Sequence, residues 1–129
     1  MMELQASAYY PILDKVSKHC NNNSMSDTDR TRRNLTAELF KALGHPDRLA
    51  MLEELKERSW CVCELARKLD LNKSVASKHL SLLYNLGLLD MEKQGTQVLY
   101  SLAVPCVVEM GQCSWFAIQA RQKARYGLQ

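Results

Sequence analysis

A mainly α-helical fold carrying one small β-hairpin is what the chain predicts, and three observations predict it. Val62, Leu65, Ala66 and Leu69 recur at helical spacing, and Asp70-Leu71-Asn72 then breaks the pattern with residues suited to a turn and a helix N-cap. A second helix follows, with Ala76, Leu80 and Leu83 on its buried side and Gly87 as its stop. After Gly87 the period changes to two. Leu89–Lys93 and Gln97–Leu102 read as strands joined through Gln94-Gly95-Thr96, with Gly95 at the tip. Helix, turn, helix, hairpin is the order of a winged helix-turn-helix; a helical hairpin with a surface β-ribbon is the other arrangement with this pattern.

The remaining elements follow in order. Leu4, Ala8, Ile12 and Val16 form a weak stripe interrupted by Pro11, so a helix starting near Pro11 is expected there. Cys20 to Asp27 is polar and turn-rich and reads as a link, within which Met25 offers an alternative start. Leu35, Leu39, Phe40 and Leu43 have helical spacing, and Gly44-His45-Pro46 ends that helix. Asp47–Lys56 forms the next, with Leu49, Leu52 and Leu55 inward, and His45 is read as a turn residue. From Val104 to about Tyr126 a last helix is apolar on two sides. Val104, Val108, Gly111, Trp115 and Ile118 form one face; Cys106, Met110, Cys113, Ala117 and Ala120 form the other. A helix apolar on both sides must be covered on both, which predicts a homodimer with this helix in its interface. The organisation expected is an arm and linker over 1–30, a DNA-binding domain over 31–103, and a dimerisation helix and tail over 104–129.

Composition narrows the function. Lysine and arginine total 17 against 14 acidic residues, a net charge of +3, which is compatible with a nucleic-acid partner. The N-terminus lacks the basic and apolar regions of a signal peptide, and no apolar run is long enough for a membrane span, so a cytoplasmic protein is expected. The second helix of the pair carries Lys73, Ser74, Ser77, Lys78 and His79 on its first turns and open side. Short hydroxyls and cations in that position suit the major groove, where they reach phosphates and base edges. The hairpin adds Lys93, Gln94 and Gln97 as contacts to the flanking backbone. The three histidines, His19, His45 and His79, sit in no nucleophile–base motif, so an enzyme is not expected.

Five cysteines in a reducing compartment read as ligands or redox groups before disulfides. Residues i and i+2 of a continuous helix point about 200° apart, so Cys61 and Cys63 share an ion only if Cys61 is still extended at the helix start. There the positive helix end also favours thiolate, and soft thiolates select Cd(II), Pb(II), Zn(II), As(III) or Sb(III). Two small buried hydrophobes is the other reading of the pair.

The words L-F-K-A-L-G-H-P-D-R-L-A-M-L, C-V-C-E-L-A-R-K-L, S-V-A-S-K-H-L-S-L-L-Y-N-L-G-L-L and K-Q-G-T-Q-V-L-Y-S-L, spread over about Leu35–Leu102, resemble the arsenical- and cadmium-resistance repressors of the ArsR/SmtB family. That resemblance implies a dimeric winged-helix repressor that leaves operator DNA when a metal or metalloid binds. It also implies a structural role for Arg48. In the arsenical type a third cysteine follows the box; this chain has Ala66 there, as the cadmium type does, where cysteines of an N-terminal arm complete the site. The arm cysteine here is Cys20. Cys61, Cys63 and Cys20 would make a three-sulfur set that suits pyramidal As(III) or Sb(III) and also Pb(II), whereas tetrahedral Cd(II) or Zn(II) wants a fourth ligand. Cys106 and Cys113 are alternative donors, but roughly 10 Å apart along a helix they cannot both reach one ion. The family's carboxylate–histidine site has no counterpart, since Ala103 follows Leu102 and the last helix has no histidine. The expectation is a repressor induced by As(III) or Sb(III). The alternatives are induction by Cd(II), Pb(II) or Zn(II), and a thiol redox or persulfide sensor on the same fold.

Overall fold

A computed structural model describes residues 26–127; the expected helix near Pro11 and Cys20 lie outside the described residues. The chain divides into two compact units, the first ending at Thr36 and the second beginning at Ala37. The described elements run α1 (Asp27–Leu43), α2 (Pro46–Glu57), β1 (Trp60–Cys61), α3 (Val62–Lys68), α4 (Lys73–Asn85), β2 (Leu89–Gln94), β3 (Gln97–Leu102) and α5 (Cys106–Tyr126). This is the winged helix-turn-helix order, with α3 and α4 as the helix pair and β2–β3 as the wing.

The first helix starts earlier than its apolar spacing indicates. Ser26 caps it by accepting from the Asp29 backbone N–H at 3.3 Å, while its hydroxyl donates to the Asp29 carboxylate at 3.2 Å. Asp27 and Asp29 stand in the first turn, where acidic groups complement the helix dipole. The residues read as the end of a linker are therefore a helix start.

Around α4 each local expectation is met by a defined contact. The Asn72 side chain accepts from the Ser74 N–H at 2.8 Å, capping the helix. Ala76, Leu80 and Leu83 are fully buried. At the far end the Gly87 N–H reaches the Tyr84 carbonyl at 2.9 Å and the Leu88 N–H reaches Leu83 at 3.0 Å, the paired bonds of a Schellman stop. Gly87 supplies the left-handed residue this stop needs, at φ +80°. The turn between α3 and α4 is closed in the same way: Asp70 N–H bonds to Arg67 at 3.3 Å and Leu71 N–H to Ala66 at 2.8 Å. Here Asp70, at φ 54°, takes the left-handed position.

The sheet has three strands in the order β1-β3-β2, both pairs antiparallel. The two-residue β1, absent from the sequence expectation, pairs Trp60 with Tyr100 and Cys61 with Leu99. In the wing, Gln94 pairs with Gln97, so the connection is the two residues Gly95-Thr96 and not the three expected. Gly95 takes φ +61°, the conformation a tight hairpin asks of its first central residue.

One core joins these elements. Met51, Leu52 and Leu55 of α2, Leu65 and Ala66 of α3, the stripe of α4, Leu88, Leu89, Tyr100, and Val107 and Val108 of α5 form a single cluster of buried residues. The last helix begins at Cys106, two residues later than expected, and its buried residues are confined to its first turn. Beyond it Trp115 is 51% exposed, Phe116 71% and Ile118 47%. Val107, outside both predicted faces, is buried. Gly87→Ala is expected to destabilise the fold by about 1 kcal/mol, seen as a lower urea midpoint at unchanged slope. A methyl there meets nothing within 4 Å, so the cost is purely conformational.

Candidate nucleic-acid and thiol sites

The open side of α4 is where the sequence pattern places the DNA contacts. Lys73, Ser74, Ser77 and Lys78 are all exposed there, opposite the buried Ala76, Leu80 and Leu83. Their chemistry is that of a groove-reading helix: hydroxyl and backbone N–H donors at a positive helix end, flanked by ammonium groups. Sequence reasoning passed over Val75, which is 40% exposed on the first turn and offers methyl groups of the kind that meet a thymine methyl. Lys93, Gln94 and Gln97 are exposed on the wing.

His79 is placed differently from its neighbours. Its ring is half-buried, tilted against the His45 ring with centroids 4.7 Å apart, and its Nδ1 lies 3.3 Å from an Arg48 guanidinium nitrogen. Arginine only donates, so His79 Nδ1 accepts. Arg48 also donates through Nε to the Ala42 carbonyl at the end of α1, in keeping with the structural role expected of it. His45 does more than occupy a turn: as N-cap of α2 it accepts from the Asp47 N–H at 3.2 Å. Ligand-type atoms of His45, Asp47 and His79 lie within 4.8 Å of one another. Both histidine Nδ1 lone pairs are already engaged, and a permanent cation shares the corner. The arrangement is a hydrogen-bonded joint, not a vacant ligand set. Its sequence signal was G-H-P-D-R, whose partner on α4 is out of sight of any local pattern.

The thiol pair has the backbone it needs. Cys61 is the N-cap of α3, at φ −83° and ψ 159°, extended and still paired in the sheet, and Cys63 lies in the first helical turn. The expected obstacle, two thiols on opposite sides of a continuous helix, is thereby absent. The two differ in access: Cys61 is 5% exposed and Cys63 is exposed. Arg58 lies over the Trp60 ring at 3.3 Å and pairs with Glu64 at 3.6 Å, so a cation and a carboxylate flank the box. The Trp60 indole N–H donates to the Glu54 carbonyl at 3.0 Å, anchoring the residue before Cys61. Among the described residues, no third cysteine, histidine or carboxylate joins the two thiols in a three-ligand cluster. Ala66, where the arsenical-type box has its cysteine, is buried in the core. Cys106 is half-buried and Cys113 exposed on α5. The described residues thus set two free thiols at the head of α3, one buried and one exposed, with no third ligand beside them.

Residues 45–90, from the His45 corner through the start of the wing, match the family described as bacterial regulatory protein, arsR family. Rv0081 of Mycobacterium tuberculosis, described as an uncharacterized HTH-type transcriptional regulator, is 38% identical over 77 residues, which are 59% of this chain and 68% of the relative. Its crystal structure superposes with a TM-score of 0.63 at 32% identity, covering 72% of this chain and 94% of that one. A homolog of the cadmium resistance regulatory protein CadC from Staphylococcus aureus is 40% identical over 67 residues, 51% of this chain and 55% of the relative. The homodimeric winged helix-turn-helix domain of Mb0332 from Mycobacterium bovis shares the fold, with a TM-score of 0.64 at 24% identity over 76% of this chain and 91% of that one. Fold, helix pair, wing and relatives agree: the chain belongs to the ArsR/SmtB family of winged helix-turn-helix transcriptional regulators.

Proposed function

We propose that this regulator is a cytoplasmic, dimeric repressor that holds operator DNA through Lys73, Ser74, Ser77 and Lys78 of α4, with Lys93, Gln94 and Gln97 on the flanking backbone. It lets go when Cys61 and Cys63 take a thiophilic ion. The observation that carries the reading is the extended N-cap conformation of Cys61, which sets two thiols at the head of α3. Leu65 and Ala66 of α3 share a core with Ala76 and Leu80 of α4, so a strain placed on the head of α3 reaches the DNA-reading helix through packed side chains. The coupling this asks for is modest, about 1–3 kcal/mol.

As(III) or Sb(III) is the inducer class that best fits three sulfurs, with Cys20 as third donor and Cys106 or Cys113 as the alternatives. The likeness to a CadC homolog, together with Ala66 in the box, supports a second reading in which Cd(II), Pb(II) or Zn(II) induces with a further ligand. Dimerisation is supported by the exposed Met110, Trp115, Phe116 and Ile118 on α5 and by a groove of about 410 Å³ between α2 and α5, lined by Leu49, Leu52, Trp115 and Ile118 among others. A second subunit would cover this apolar surface and set two α4 helices about one duplex turn apart.

Fluorescence anisotropy of reduced, full-length protein on its upstream promoter DNA tests the reading, titrated in parallel with arsenite and with cadmium. Release by arsenite near stoichiometric amounts supports the three-sulfur site, release by cadmium alone the second reading. Release by neither, with release by oxidant, would turn the pair into a redox sensor. Cys63→Ser is expected to keep DNA affinity and lose ion-driven release. Cys61→Ser should do the same at reduced stability, because it buries a hydroxyl at a cost of about 1–3 kcal/mol. Lys78→Ala should weaken binding to all duplexes and reduce the salt slope by about 1.

A further inference from the structure

We propose that His79 is a positioning residue, tying α4 to the corner between α1 and α2 through a hydrogen bond accepted from Arg48, and is not itself a reader of DNA. The inference rests on the assignment of α4 as the DNA-reading helix. The buried stripe of Ala76, Leu80 and Leu83 holds α4 along one line, and a helix held along one line can still roll. His79 precedes Leu80 and therefore points about 100° away around the helix axis. A second attachment at that angle stops the roll. Roll decides where Ser77 and Lys78 point, so the tether sets the register of the whole contact face.

The anchor is built for the purpose. Arg48 is itself held by the Ala42 carbonyl, one of the acceptors left over at the end of α1. Its guanidinium reaches His79 Nδ1 at 3.3 Å, across 31 residues of sequence. His45 packs against the His79 ring and is fixed in turn by capping α2. The bond exists only while Nδ1 is unprotonated. Burial foremost, then the charges of His45 and Arg48, lower the His79 pKa from the ordinary histidine value, with Asp47 acting in the opposite sense. The groups facing the ring from the start of α2 are thus His45, Asp47 and Arg48; burial, His45 and Arg48 favour the neutral ring, and Asp47 opposes them. Since the folded-state pKa is depressed, the stability contributed by the neutral ring is complete above about pH 6.5 and is lost as pH falls below it.

A double-mutant cycle on DNA affinity tests the tether, using full-length protein at neutral pH with Arg48→Met, His79→Ala and the pair. Each single change is expected to weaken binding about tenfold, and the pair no more than the stronger single. Additive losses, about a hundredfold together, would mean that His79 acts on DNA independently, and would overturn the proposal. His79→Asn, whose amide oxygen falls where Nδ1 was, should recover most of the lost affinity; His79→Gln, with its acceptor nearer the Nε2 position, should not. A DNA-free measurement separates this proposal from the assignment of α4. In wild-type protein His79 should titrate by NMR below the ordinary histidine value, and in Arg48→Met its midpoint should rise. The melting temperature should fall with acidification below about pH 6.5 in wild type and less steeply in His79→Asn. A wild-type midpoint at or above the ordinary value sinks the tether, whatever the DNA results. Unchanged affinity in Lys78→Ala would instead sink the α4 assignment, leaving the titration and melting data to decide the tether.

Discussion

Everything the protein does depends on the burial of one stripe of α4. Ala76, Leu80 and Leu83 admit no solvent, and they meet Leu52, Leu55, Leu65, Leu88 and Leu89 in a single core. A DNA-reading helix must present a fixed face, and a short helix has little stability of its own in water. Packing supplies what propensity cannot. The two Schellman stops confine the element from both ends: one ends α3 with Asp70 in the left-handed position, the other ends α4 with Gly87. Between them the helix has one length, one entry and one exit, and the wing starts at a defined point two residues on.

The same core makes a thiol switch physically reasonable. Cys61 belongs at once to the sheet, as the partner of Leu99, and to α3, as its cap. Any ligand that pulls on that residue works against a strand pairing and a helix start together, and α3 passes the displacement to α4 through Leu65 and Ala66. Trp60, pinned by its indole N–H and covered by Arg58, leaves the chain before the box little room to absorb the strain. The His45–Arg48–His79 corner holds α4 from another direction. Under the proposed function, release from DNA is a competition between an ion pulling at the head of α3 and these packed attachments of α4.

Much of this was legible in the residues because the information was local. The spacing of Ala76, Leu80 and Leu83, the cap at Asn72 and the change to period two after Gly87 each involve neighbours a few positions apart, and each appears in the fold as expected. The Cys61-x-Cys63 spacing likewise carried its own geometric condition, an extended first cysteine, which the backbone meets. Where reading failed, the cause was a partner distant in sequence or a motif too short to have a period. The strand at Trp60–Cys61 exists only because β3 lies beside it. The start of α1 at Ser26 had a local signal, S-x-x-D, hidden within a turn-rich stretch.

His79 shows the division most sharply. By type and position it belongs with Lys78 among groups that face a duplex; by structure it is half-buried against His45 and Arg48. Sequence by itself determined the order of elements, the buried stripe, the thiol pair and the basic, hydroxyl-bearing turn, because periodicity and capping act over a few residues. Only the tertiary structure decided which way a polar side chain at the edge of that stripe turns. It also decided that β1 forms, and that Met110, Trp115, Phe116 and Ile118 of α5 stay exposed. Those outcomes depend on surfaces brought together from residues far apart, and no local pattern encodes the energy of such a meeting.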